Sequence, residues 1–278
     1  MLSLQYNLPV SAKTIQRVID SENIADVIKY TARDPAFALK ILYFVNSVPF
    51  SYYRESVNKQ KHSCFDLTNR SCRSELLKRK KIVETIRDGV SLLGIDKVKF
   101  LAATSDMFPS QDSFYYSVSK HSYLFGEFIE YLATVYNIRT VIENIELLKT
   151  AAVLHDVGKL FIYTASTVFE VNSKNDKHGE IGYKLLSGIG LSELLSCTAL
   201  CHHSKNNCRC FLSKDELELL IFFRVAHGVF TCDKHIAESE IRLLEKMLDC
   251  NIKAVYLSLV DFIKEKTTQL DFLDGLKK

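Results

Sequence analysis

The stretch "TAAVLHDVGKLFIYT", residues 150–164, decides how this chain is read. Its flanks, Ala151-Ala152-Val153-Leu154 and Leu160-Phe161-Ile162-Tyr163, are apolar enough for buried helix. Between them His155 and Asp156 stand side by side, followed by Gly158 and Lys159. An ionised carboxylate in such surroundings is costly unless it finds a cation or neutralises. The stretch therefore predicts buried helix around a polar site, and the question is what partners Asp156.

Outward from this stretch the same helical spacing recurs almost everywhere, and β-alternation is hard to find. Glycine and proline are scarce, ten and four in 278 residues, so the fold class is all-α. In "RDPAFALKILYFVNS" Asp34 suits an N-cap and Pro35 the first helical position, with Ala36, Leu39, Leu42 and Val45 as the buried stripe. Helices are expected over 82–93 and 96–107 with Gly94 as the break, over 114–136, and from about 143 into the His155–Asp156 pair. More are expected near 178–188, 192–203, 213–233, 238–249 and 253–267, and irregular chain over 51–75, 165–177 and 204–212.

A hydrophobic fraction of 47% supports a real core, and 25% charged residues a solvated surface. The net charge of +3 is too small to imply nucleic acid. It is unevenly placed. Residues 54–81 hold nine Lys/Arg against three Asp/Glu, net +6, which leaves −3 for the rest. This basic segment reads as a solvated insertion or as a site for an acidic partner.

The N-terminus "MLSLQYNLPVSAK" has no basic region followed by an apolar core, and no apolar run is long enough to span a bilayer. A cytoplasmic chain with reduced thiols is the expectation for its eight cysteines. Cys197, Cys201, Cys208 and Cys210 lack the spacing of a standard zinc ribbon, so free thiols are the default there, as for Cys64 and Cys72 beside His62.

The histidines carry more. His121, His155, His178, His202, His203 and His227 fall on five or six separate helices. Imidazoles and carboxylates converging from several helices are how bundles build metal sites, and both suit first-row ions. Each alone is equally readable as a hydrogen-bonded core histidine.

"HDVGK" after an apolar helix resembles the signature of the HD superfamily of metal-dependent phosphohydrolases. "NLPVSAKTIQRVI", "ADVIKYTARDPAFALKILYFVNSVPF", "VETIRDGVSLLGIDKVKFL" and "KHGEIGYKLLSGIGLSELLSCTALCHHS" follow in the order of the HDOD family, and the resemblance covers about residues 7–230. It implies an N-terminal helical lobe, about 1–107, packed on an HD-like lobe with C-terminal helices, about 108–278. It implies His121, His155 and Asp156 as metal ligands, with His178, His202 and His203 supporting a second ion and His227 standing where a late helix normally carries Asp. Asp156 and Lys159 would be the catalytic pair, Lys159 touching phosphate or solvent. One or two ions of iron, manganese or zinc are implied.

After His203 the sequence "SKNNCRCF" lacks the acidic residue and Gly-Tyr-Pro loop of the cyclic-di-GMP enzymes that the segment otherwise resembles. The implied function is a signal-transduction module working through separate signalling proteins. The alternative is a phosphohydrolase acting on a nucleotide or cyclic dinucleotide.

Overall fold

Asp34 shows how one residue organises the first part of the fold. In the computed structural model, which describes residues 8–47, 82–108, 112–169, 177–203, 212–232 and 238–275, its side chain caps helix α3 (Pro35–Asn46) by accepting from the Phe37 amide at 3.1 Å. The same carboxylate accepts from the Ser11 amide at 2.9 Å and from the Tyr115 hydroxyl, and it is fully buried. Burial pushes its pKa up, against the pull of these donors. The expected stripe of α3 is in the core: Ala36, Leu39, Leu42 and Val45 are all buried.

Helices α1 (Ala12–Asp20) and α2 (Ile24–Thr31) precede α3. After it come α4 (Ile86–Leu93) and α5 (Ile95–Ala103), separated at Gly94, whose φ of 78° is a left-handed conformation that glycine adopts without a Cβ clash. The expected helix over 96–107 stops at Ala103. Met107–Phe108 (β2) instead pair in parallel with Val10–Ser11 (β1), tying the start of the described chain to the end of this helical group.

The chain's re-entry before α4 is held by Asn46. Its side-chain amide donates to the Val83 carbonyl and its carbonyl accepts from the Val83 amide, both at 2.9 Å. The basic segment 54–81, with Cys64, Cys72 and His62, lies outside the described residues.

The second half is α6 (Ser113–Val135), the short α7 (Arg139–Glu143), α8 (Ile145–Leu154), α9 (Val157–Phe169), α10 (His178–Gly188), α11 (Glu193–Cys201), α12 (Lys214–Phe230), α13 (Glu238–Leu248) and α14 (Ile252–Gly275). The expected irregular stretch at 165–177 begins later, because α9 continues to Phe169. The two halves share one hydrophobic cluster from Leu8 to Phe262, and Thr150 of α8 accepts the Ile86 amide at the start of α4. Architecture is all-α as expected, apart from the two-residue strand pair. Among the described residues no helix is long and apolar enough to cross a membrane.

The cysteines depart from expectation in one place. Cys197 and Cys201 are each in a disulfide, not free, while Cys232 and Cys250 are free. Both disulfide cysteines lie buried on α11. Cys208 and Cys210 lie outside the described residues.

A candidate histidine metal centre

His155 and Asp156 do not sit within one helix. They form the junction between α8 and α9, where His155 is the C-cap of the first and the Lys159 amide bonds back to the Asp156 carbonyl at 2.9 Å. The junction is buried: His155 is 0% and Asp156 1% exposed. The site needs α9 and α10 nearly in backbone contact, and Gly158 provides it. A Cβ there would stand 2.0 Å from the His178 carbonyl oxygen. Gly179 similarly lies against the α11 backbone, where a Cβ would be 2.9 Å from the Ala199 carbonyl. Small residues at these positions bring the starts of α9 and α10 and the end of α11 together around one carboxylate.

All seven residues expected as metal ligands converge here, from α6, the α8–α9 junction, α10, the end of α11 and α12. They divide into two trios around Asp156. On one side His155 Nε2 is 3.5 Å and His121 Nε2 3.9 Å from Asp156 Oδ2, and His227 Nε2 is 3.3 Å from His121 Nε2. On the other, His202 Nε2 is 3.3 Å and His178 Nε2 3.5 Å from Asp156 Oδ1, and these two imidazole nitrogens are 3.0 Å apart. His203 stacks beside His202 with ring centroids 4.1 Å apart. In each trio, His121–His155–His227 and His178–His202–His203, the donor atoms lie within 4.8 Å of one another. One carboxylate oxygen thus faces each trio.

The tautomers follow from the backbone. His155 Nδ1 is 2.7 Å from the Ala152 carbonyl and His202 Nδ1 2.8 Å from the Ala199 carbonyl. A carbonyl only accepts, so each Nδ1 carries a proton, and the neutral ring presents its Nε2 lone pair to the site. Burial and the neighbouring imidazole His202 hold His155 well below the usual histidine range, against Asp156. Burial, with His155 and His202, does the same to His227. Burial lowers His121 despite Asp156, and burial with His202 and His178 lowers His203 to about 4. Burial opposes ionisation of Asp156, but the surrounding imidazoles and Lys159 outweigh it and hold the carboxyl well below its usual range. Lys159 Nζ donates to Asp156 Oδ2 at 2.8 Å. His121, His155, His203 and His227 are thus held towards neutral imidazole and Asp156 towards the ionised carboxylate, the forms that metal binding requires.

Hydrogen bonding within the cluster does not satisfy it. Among the described residues His155 Nε2 and Asp156 Oδ1 are buried without a hydrogen-bond partner. Two imidazole nitrogens on one ion at about 2.0–2.1 Å lie roughly 2.9–3.4 Å apart for angles of about 90–110°. The His121–His227 and His178–His202 separations fall in that range. The donor set fits divalent ions of the later first row, which favour nitrogen.

Aromatic residues that the sequence reading did not single out form the apolar wall. Phe125 packs against His155 and His227, and Phe223 and Phe230 face His155 and His121. The signal was helical spacing: Phe125 is four residues after His121, and Phe223 and Phe230 lie four before and three after His227. The more accessible side is polar, with the His121 and Lys159 side chains 27% and 33% exposed.

Residues 118–246 match the family model of the HD domain. No curated protein matches the chain. Among solved structures, the MmoQ response regulator of Methylococcus capsulatus strain Bath is similar at a TM-score of 0.58 and 12% identity, over 92% of this chain and 99% of that one. Its fragment 20–298 gives 0.54 and 14%, over 87% and 91%. An HDOD domain protein of unknown function from Geobacter sulfurreducens gives 0.40 and 16%, over 97% of each chain.

Proposed function

We propose, from the match of residues 118–246 to the family model of the HD domain, that the protein is an HDOD-type regulatory module whose histidine cluster holds one or two divalent ions. The observation that carries the metal reading is the divided carboxylate. Asp156 turns one oxygen to each histidine trio, and among the described residues the buried His155 Nε2 has no hydrogen-bond partner. His121, His155 and His227 would hold one ion and His178, His202 and His203 the other, with Asp156 shared. Iron, zinc or manganese suits this set better than magnesium, which prefers oxygen. The regulatory reading draws on the fold shared with a protein described as a response regulator, and places the partners on separate signalling proteins.

Phosphohydrolase activity on a nucleotide or cyclic dinucleotide is the second reading, favoured by the partial exposure of Lys159 and His121 at the cluster's edge. A bound divalent ion supplies Lewis-acid activation of water and polarisation of a phosphoryl oxygen. The chain's own part would be Lys159, whose ammonium offsets charge on that oxygen, and the Phe125–Phe223–Phe230 wall, which excludes water from one side.

Elemental analysis of untagged protein tests the metal reading, with one to two equivalents of iron, zinc or manganese expected. No bound metal, and no thermal shift on adding these ions, would remove it. A metal-loaded protein that hydrolyses no member of a nucleotide and cyclic-dinucleotide panel supports regulation. Hydrolysis that disappears in Asp156→Ala establishes the enzyme.

A further inference from the structure

A second polar cleft lies apart from the histidines, where α2 and α4 meet α6 and α8. Three cations crowd one aromatic ring beside it. Arg17 Cζ is 5.4 Å, Lys29 Nζ 5.8 Å and Arg33 Cζ 5.8 Å from the Tyr30 ring centroid. Arg33 also lies over Tyr123 of α6, 4.8 Å from its centroid, and donates to its hydroxyl at 3.4 Å. Among the described residues none of the three is ion-paired. Nearby acids are engaged by neutral groups: Asp20 by Gln16 at 2.8 Å and 3.0 Å, Asp26 by Asn23 at 2.8 Å, and Asp34, adjacent to Arg33, by the Ser11 and Phe37 amides and the Tyr115 hydroxyl.

The cleft itself, about 210 Å³, is lined by Ile28, Lys29, Ala32, Ile86, Tyr123 and Val153, among others. Its acids are already compensated. Glu146 is held by Arg87 at 2.8 Å, and Glu127 by Lys266 at 3.2 Å and Lys149 at 3.5 Å. Among the described residues, Arg17, Lys29 and Arg33 are thus the cations beside the cleft that no carboxylate pairs, and they gather at the α2 end.

Part of this has a structural use. Arg17 and Lys29 sit in the last turns of α1 and α2, where the helix dipole favours a cation. That does not account for Arg33, which follows the end of α2 and whose Nε is buried without a hydrogen-bond partner. Leaving a charged donor unsatisfied is costly, and a planar guanidinium is suited to two parallel bonds with a phosphate.

We propose that this cleft binds a small organic phosphate monoester, its apolar or aromatic body between Ile28, Ile86 and Val153 and its phosphate on Lys29 and Arg33. Arg17 adds charge from across Tyr30. The volume is below that of pockets for drug-sized ligands, typically about 300–1,000 Å³, so a body of one or two rings is implied. The site is independent of the histidine cluster and does not need a metal.

The test is calorimetric titration of the full chain in excess chelator, which keeps ions from the histidines. The probes are AMP, p-nitrophenyl phosphate, adenosine and inorganic phosphate. At least one of the two monoesters is expected to bind tenfold or more tightly than both adenosine and inorganic phosphate. That binding should weaken at least tenfold in Arg33→Met and in the exposed Lys29→Met, with thermal midpoints unchanged for the latter. Asp156→Asn and Lys253→Ala should bind as the parent does. The proposal is overturned if neither monoester exceeds inorganic phosphate and adenosine, if Lys29→Met leaves binding unchanged, or if Asp156→Asn abolishes it.

Discussion

Asp156 and the imidazoles around it hold opposite positions in the same burial, and their substitution effects should differ accordingly. Asp156→Asn keeps the volume but removes the one negative charge that both trios face. Apparent affinity for zinc, measured by competition with a chromophoric chelator, should fall at least tenfold at both sites together, because each oxygen serves one trio. Loss at one site alone would show that the carboxylate is not shared. The imidazoles set a pH dependence in the metal-free protein. His121, His155, His203 and His227 are all lowered in the folded state from the ordinary value of 6.5, His203 to about 4. Between those values the unfolded chain binds more protons than the folded one, so folding stability falls as pH drops. The contribution is complete above 6.5 and is lost as pH falls through the window from 6.5 towards 4. Thermal midpoints in chelator should therefore decline over that window, and the decline should be shallower in His203→Gln. A flat profile would mean that the imidazoles titrate alike in the folded and unfolded chain.

The helices show where the sequence was legible and where it was not. Asp34 and Pro35 fixed the start of α3 because a cap is a local bond between residues three apart. The position of Gly94 fixed the α4–α5 break for the same local reason. The histidine set was legible through the order of sequence blocks that resembles the HDOD family, since each histidine alone reads equally well as a core residue. The pairing of 10–11 with 107–108 was hidden, since two residues carry no alternation pattern and the partner is distant in sequence. The approach of α9 to α10 was hidden too, because glycine's meaning there is a contact with the His178 carbonyl that no spacing reveals. That contact makes a prediction at the scale of the element. Gly158→Ala places a methyl where backbone stands at 2.0 Å, so α10 must move and carry His178 with it. A cost of about 2–4 kcal/mol in chemical denaturation is expected, within the range for overpacking and strain. Weakened zinc binding at the His178–His202–His203 trio should accompany it. Full stability together with parent zinc affinity would refute the close approach.

At the scale of the whole molecule the question is how a core tolerates a long basic segment between α3 and α4. The Asn46–Val83 pair answers it: two buried hydrogen bonds of 2.9 Å hold the chain together on either side of residues 48–81. With the ends pinned, the cost of loop closure changes by only about 0.6 kcal/mol per doubling of segment length. Replacing residues 57–76 by a short Gly/Ser linker should therefore leave the denaturation midpoint within about 1 kcal/mol of the parent. Asn46→Ala, by contrast, strands the buried Val83 amide and carbonyl and should cost roughly 2–4 kcal/mol, from about 1–3 kcal/mol for each unsatisfied group. This contrast separates the clasp from the segment it closes. The segment's net charge of +6 should attract an acidic partner. Exposed charges are screened within about 8 Å at physiological ionic strength, so such association should weaken steeply with salt. Affinity capture from cell extract by parent and trimmed protein, each at low and moderate salt, is the measurement. The expected outcome is an acidic protein retained by the parent at low salt, released at moderate salt, and absent from the trimmed form while its helical circular dichroism is unchanged. Equal recovery by both forms would make the segment a solvated loop only, and the partner surface would then be sought at the exposed edge of the histidine cluster around Lys159 and His121.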